Sequence, residues 1–264
     1  MNIVVCLKQV PNPDLQFQVV ADNQDIKRDT VNYRVNSFDE YTLEEGVRLK
    51  EKLKGKVIAI TLGPKRTEQM LREALAKGAD EAVRVAYDDP AALNSHQVAK
   101  ILAEVVKKIP HDFVLTGVQS DDYMLSQTGT MMAGFLGVSH ATVITKIDVE
   151  GQELKLHREL EGGDLEVVSV KLPALLTIQS GINQPRYAPL PAVMRAARAP
   201  VKEIKPQDLG AENWDAFLGK YQFKVRKVYL PAARSKAVMF VGKPAETAGK
   251  VSQLLKDKGF WRGG

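Results

Sequence analysis

The sequence holds a single cysteine, Cys6, among its 264 residues. That excludes an internal disulfide framework and a cysteine-built structural zinc site, as expected of an intracellular protein. Cys6 lies in the apolar run IVVCL and reads as a small buried hydrophobe, because a reactive thiolate needs a cationic, part-open setting. Long apolar runs are also missing. No stretch approaches the ~18 uncharged apolar residues of a membrane span. The opening MNIVVCLKQVPNPD has no basic segment leading into a long apolar one. The expectation is a cytoplasmic chain, neither secreted nor inserted in a membrane. The four histidines, His96, His111, His140 and His157, stand apart without metal-ligand spacing, so no metal site is expected. The excess of positive charge is slight, 37 Lys and Arg against 32 Asp and Glu, and it is dispersed. Without a basic run interleaved by aromatics, nucleic acid is not an expected partner. The phosphate-cradling patterns G-x-x-x-x-G-K-[ST] and G-x-G-x-x-G do not follow any strand, so a nucleotide would have to be held another way. The nucleophile elbow G-x-S-x-G is missing too, and no catalytic residues are expected.

What is present is an alternation of strand-like and helix-like segments through the first half: NIVVCL, TLEEGVRLKEKL, VIAITLG, EQMLREALAKG, EAVRVA, SHQVAKILAEVVKKI, FVLTG and TMMAGFLG. It predicts an α/β fold, a mostly parallel doubly wound sheet of Rossmann-like type with helices on both faces. Met70, Leu71, Ala74 and Leu75 fall on one helical face, with Gly78 placed as a C-cap. Val98, Ile101, Leu102, Val105 and Val106 do the same in the third helix, with Ser95 as its N-cap and Pro110 closing it. Two overlapping capping boxes, Ser37 to Glu40 and Thr42 to Glu45, leave the start of the first helix open by several residues. From about Ala141 the pattern becomes strands without helices, separated by Glu150-Gly151 and Gly162-Gly163, which predicts an antiparallel extension over about 141–180. Beyond Gly181 comes a proline-punctuated stretch poorly suited to the core and suited to an arm on another chain, and a last helical pattern lies in AETAGKVSQLLKDKG.

Between FVLTG and TMMAGFLG lies a polar loop, where an α/β fold normally presents its ligand. Its residues Ser126, Thr128 and Gly129 would serve either as phosphate ligands at a helix start or as an ordinary polar N-cap. Asp121 and Asp122 are adjacent and project apart, which disfavours a paired-carboxylate site.

The stretches VVCLKQVPNPD, VNSFDEYTLEEGVRLKE, ITLGPKRTEQMLREALAKGAD, TGVQSDDYMLSQTG and RELEGGDLEVVSVKLPALLTIQSGINQPRYAPLP together resemble the beta (small) subunit of electron-transfer flavoproteins, over about Asn2 to Lys205. Arg158 to Thr177 carries the family's signature. The resemblance implies a non-catalytic electron carrier: an alpha–beta heterodimer whose alpha subunit holds most of the FAD, while the beta subunit buries a structural AMP. It places AMP at Cys6, at Asn36, Ser37, Phe38 and Asp39, at Leu62, and along Val118, Gln119, Ser120, Asp121, Asp122, Tyr123, Leu125, Ser126, Gln127, Thr128 and Gly129. Phe38 would also stand beside the flavin. Electron-bifurcating relatives carry a second FAD where AMP sits and have a loop resembling D-G-D-T-A-Q. The bulky Tyr123, Met124 and Leu125 favour AMP here.

The resemblance also implies a recognition loop over about 183–200, in which Leu190, with Tyr187 and Arg186, docks dehydrogenases such as acyl-CoA dehydrogenases; electrons then pass to a downstream oxidoreductase. Leu190 would either anchor such a partner or pack inward. The implied organisation is a nucleotide-binding domain over 1–205 and a C-terminal arm over 206–264 that packs on the alpha subunit. Two alternatives stay open, a bifurcating-type subunit with a second FAD and a nucleotide-binding enzyme of the same α/β class.

Overall fold

Short apolar runs bounded by turns become strands buried on both faces when helices cover them, and that is what the computed structural model of the chain contains. It describes residues 1–12, 14, 17–22, 24–218, 225–231 and 237–260. In chain order the elements of the first half are β1 (Asn2–Cys6), β2 (Gln9–Pro11), β3 (Tyr33–Val35), α1 (Ser37–Leu53), β4 (Lys56–Gly63), α2 (Glu68–Lys77), β5 (Glu81–Ala86), α3 (Ser95–Lys107), β6 (Phe113–Gly117) and α4 (Thr128–Leu136). There follow β7 (Ser139–Glu150), β8 (Glu153–Glu159), β9 (Leu165–Lys171), β10 (Ala174–Ile178), α5 (Leu190–Ala196), β11 (Lys202–Ile204), α6 (Trp214–Leu218) and α7 (Pro244–Asp257).

Among the described residues a nine-stranded sheet runs in the order β11-β5-β4-β1-β6-β10-β7-β8-β9. It is parallel from β11 to β7 and antiparallel from β7 through β8 to β9. The expected α/β class and the antiparallel extension are therefore both present. Alternate residues of β1 feed opposite faces. Ile3 and Val5 pack with Leu43 and Val47 of α1 and Met70 and Leu71 of α2, whereas Val4 and Cys6 pack with Ile101 and Val105 of α3 and Met132 of α4. The chain leaves β1 toward β4 and β5, then crosses back through α3 to β6 on β1's other side. That reversal opens a crevice at the carboxyl ends of β1 and β6.

Four local expectations change. The first helix begins at Ser37, and neither capping box closes it, since Asn36 stands at the N-cap position without a side-chain cap and Thr42 bonds the carbonyl of Phe38. The third helix is capped by Asn94, not Ser95, through a reciprocal box with Gln97. The segment ALLTI, read as the end of the antiparallel extension, returns to the middle of the sheet as β10 and pairs in parallel with β6 and β7. Its five residues are all buried, as a central strand requires. The proline-punctuated stretch contains the helix α5, because Pro191 sits in its first turn, where a missing N–H costs nothing.

By contact density the chain forms two units, Met1–Lys227 and Val228–Gly264. The second contains α7, which buries none of its residues, and it exposes Tyr229, Leu230, Val238, Met239, Val241 and Phe260. Parts of the expected arm, 219–224, 232–236 and 261–264, lie outside the described residues.

Candidate functional site

The crevice is built where six elements end or begin. Cys6 closes β1 with Leu7 and Lys8 following it, Leu62 lies near the end of β4, and Thr116 and Gly117 end β6. Asn36 and Asp39 come from the start of α1, and Asn94 and Ser95 from the start of α3. The polar loop after β6 supplies the remaining wall: Val118, Gln119, Ser120, Tyr123, Leu125, Ser126 and Gln127 line it, followed by Thr128 and Gly129 at the head of α4. Four of the sequence-derived positions, Ser37, Phe38, Asp121 and Asp122, do not line the crevice.

Asp121 and Asp122 do point apart, and each fastens the loop to a different element. Asp121 accepts the Ser37 hydroxyl at 2.6 Å, the Ser37 backbone N–H at 3.1 Å and an Arg34 N–H at 3.3 Å. Burial pushes its carboxyl up, but these Ser37 and Arg34 donors outweigh it and hold the group below the usual carboxylate range. Asn36 completes the clasp, donating to the Gln119 carbonyl at 2.8 Å and accepting the Asp121 N–H at 2.9 Å. Asp122 takes both bonds from the Lys8 ammonium, at 2.6 and 2.7 Å, and that ammonium stands 4.6 Å from the centre of the Tyr123 ring. Tyr123 then spans the crevice mouth, its hydroxyl 3.4 Å from the Ala91 carbonyl. Met124 and Ser126 adopt left-handed backbone, at φ 51° and 53°. Such strain persists where surrounding contacts over-determine a loop, as these clasps do here.

Asp39 ties the two central strands together at the crevice floor. It accepts the Lys8 N–H at 2.7 Å and the Gly117 N–H at 3.2 Å. Burial raises its carboxyl to about 7 in spite of these donors. Gly117 must lack a side chain, since a Cβ there would fall 2.4 Å from Asp39 Oδ1. Cys6 is driven up to about 12 by burial first and the Asp39 charge second, so its thiol stays protonated and unreactive at neutral pH.

At the far wall α4 starts at Thr128 with no side-chain cap on its first turn. Gly129 keeps that turn close to the sheet, because a Cβ would lie 2.5 Å from Thr116 Oγ1 and 2.9 Å from Thr177 Cγ2. Uncapped first-turn amides, with the hydroxyl of Thr128 and the positive end of the helix dipole, suit a phosphate. The walls around Cys6, Leu62, Val98, Leu102 and Met132 are apolar and suit a flat base. The donor set therefore fits a phosphorylated ligand with a flat apolar part.

Sequence reading passed over Lys8, Arg66, Asn94, Ser95 and Thr116, all of which line the crevice. Arg66 bonds Gln9 at 3.1 Å and stacks 4.3 Å from the Tyr33 ring, which ties the β2–β3 ribbon to the end of β4. The signal was positional: Lys8, Arg66 and Thr116 follow or close parallel strands, where ligands of open α/β sheets bind.

The residues expected to recognise a partner, Arg186, Tyr187 and Leu190, do not line the crevice. Tyr187 is 97% exposed and Leu190 72% exposed, so Leu190 does not pack inward, and Val193 and Met194 share its exposed surface. Arg186 differs, its guanidinium being bound within the chain by Glu44 and Glu51.

A family model described as "Electron transfer flavoprotein domain" matches residues 25–209. The chain is 37% identical over 261 residues to the electron transfer flavoprotein subunit beta of Methylophilus methylotrophus, spanning 97% of this chain and 98% of that one. It is 40% identical over 215 residues to the human protein of that name, 80% and 84% of the two chains. Against the Bacillus subtilis (strain 168) protein it is 32% identical over 259 residues, 98% of each. With a matching fold, a crevice at the strand-order reversal and relatives aligned along almost its whole length, the chain belongs to the electron transfer flavoprotein beta subunit family.

Proposed function

We propose that this chain is the small subunit of a two-subunit electron carrier, that it holds AMP as a structural ligand, and that it acts without catalytic residues of its own. The observation that carries the AMP assignment is the uncapped start of α4 facing a crevice whose other walls are strand ends. AMP's base lies against the apolar wall near Cys6 and Leu62. Its phosphate takes the amides and hydroxyls around Ser126, Gln127, Thr128 and Gly129, contacts worth roughly 0.5–3 kcal/mol each. The bulky Tyr123 and Leu125, which line the crevice, favour AMP over a second FAD.

The larger alpha subunit holds FAD, with Phe38 of this chain close to the flavin. The exposed apolar side chains of the second unit, Tyr229, Leu230, Val238, Met239 and Val241, cover a face of that subunit. Leu190 and Tyr187 dock dehydrogenases of the acyl-CoA dehydrogenase type, from which electrons pass through the flavin to a downstream oxidoreductase.

The test is to purify the native complex, denature it and identify the released nucleotides by mass spectrometry. One AMP and one FAD per heterodimer is the expected result. Two FAD and no AMP would move the assignment to the bifurcating type, and a chain that purifies without a larger flavin-bearing partner would overturn the carrier reading.

A further inference from the structure

Arg186 looks from the sequence like a cation offered to a partner, but its geometry points inward. It donates Nε at 2.8 Å and Nη2 at 3.1 Å to the two oxygens of Glu44, and Nη1 at 2.7 Å and Nη2 at 3.1 Å to those of Glu51. Its backbone N–H also reaches Glu44, at 3.2 Å. Three residues earlier, Asn183 donates to the Tyr41 carbonyl at 3.0 Å and to Glu45 at 2.9 Å. Tyr41, Glu44, Glu45 and Glu51 recur at helical spacing along one side of α1, so the NQPR stretch is fastened along that helix. Glu44 is only 4% exposed and is shared with Arg48, whose Nε lies 2.8 Å away. Burial pushes Glu44 up, but the bonds from Arg186 and Arg48 prevail and keep it charged.

The fastening stands directly before α5. Pro189 and Pro191 restrict the backbone at the start of that helix, four residues after Arg186. At its other end α5 buries Ala196, while Leu190, Val193 and Met194 face outward. A helix this short has no stability of its own in water, so its position depends on its packing against α2 and on what holds its ends.

We propose that Arg186 is a positioning residue: forked between Glu44 and Glu51 of α1, it fixes the entry of α5 and holds Leu190, Val193 and Met194 as one preformed apolar face. A preformed face loses less conformational entropy when a partner docks, which is the advantage of building it from a staple and prolines. The proposal rests on the docking role assigned to Leu190. Only a planar fork engages two carboxylates in this way, so lysine cannot replace it.

The experiment is amide hydrogen exchange by mass spectrometry on the purified full-length chain and its complex. Peptides covering 187–198 are compared between wild type, Arg186→Lys, Arg186→Met and Arg186→Met combined with Glu44→Gln. The combined variant removes both charges of the pair and keeps a soluble protein if the lone buried Glu44 charge proves too costly. Exchange across 187–198 should quicken by about tenfold or more in every variant, with Arg186→Lys giving no rescue, while peptides covering 113–136 exchange as in wild type. Adding Glu51→Gln to Arg186→Met should bring no further increase, because both changes remove one interaction. Unchanged exchange at 187–198, full rescue by lysine, or additive effects of Glu51→Gln would overturn the proposal. This measurement needs no dehydrogenase. A failure of the docking role would instead appear as unchanged kinetics in Leu190→Ala while the Arg186 variants still loosen α5.

Discussion

Asp121 caps α1 from the loop after β6, accepting the hydroxyl of Ser37 at 2.6 Å and its backbone N–H at 3.1 Å, although the two residues are 84 positions apart. The helix cap and the loop clasp are thus one interaction. Asp121→Ala should lower stability by about 1 kcal/mol, the usual worth of a cap. It should also weaken AMP binding, since the loop that walls the site loses its hold. The folded carboxyl lies below its unfolded value, so its stabilisation is present above about pH 4 and fades as pH falls through the lowered folded value. Urea titrations at neutral and acid pH, with calorimetric AMP binding, check both parts. A variant that unfolds like wild type at pH 7 would refute the cap.

Asp39 titrates in the opposite sense. Its folded value of about 7 lies above the ordinary 3.8, so the folded state retains a proton that the unfolded chain has lost. Its contribution to stability is greatest below about pH 4, declines as pH rises toward 7 and levels off beyond. Asp39→Asn should remove that decline. The stability difference between wild type and the variant, measured by urea unfolding from pH 4.5 to 8, should therefore shift against wild type as pH rises, and a flat difference would contradict it.

Gly129→Ala tests how closely α4 must approach the sheet. The added Cβ would meet Thr116 Oγ1 and Thr177 Cγ2, both on buried residues of central strands with little room to yield. Overpacking of this kind typically costs about 1–3 kcal/mol. The helix start should also shift away from the crevice, so AMP content after purification should fall. Gly134→Ala makes the control: no atom stands within 4 Å of its Cβ, and it should be neutral or mildly stabilising.

Leu190→Ala should slow electron transfer from a docking dehydrogenase without altering the flavin spectrum or the AMP content. Truncating an apolar anchor costs ~1–4 kcal/mol of binding. Stopped-flow flavin reduction should then need a higher dehydrogenase concentration for half-maximal rate, with the limiting rate little changed. Equal concentration dependence in both proteins would remove Leu190 from the interface.

Local regularities were legible in the sequence because they depend on neighbours along the chain. The 3.6-residue spacing of Met70, Leu71 and Ala74 marked a buried helix face, Gly78 at φ 122° ended it as anticipated, and the apolar runs around Val4, Ile58 and Val114 became central strands. The polar loop between β6 and α4, visible in the sequence as a change of composition at a strand end, lines the crevice. Other features depend on residues distant in sequence. No pattern in ALLTI says whether it extends a hairpin or inserts between β6 and β7. That choice follows from which edge of β6 remains open once β1 has taken the other. Arg186 and Glu44 lie 142 positions apart, so only the packed fold shows that this arginine is already engaged and that Leu190 beside it is not. Sequence by itself determined the class of elements, their order and the burial of Cys6, since short-range apolar spacing is sufficient to select them. Tertiary structure alone decided the strand order, the Asp121 cap and the Arg186 staple, because each satisfies a charge or a backbone donor with a group that the chain brings near only after the sheet has closed.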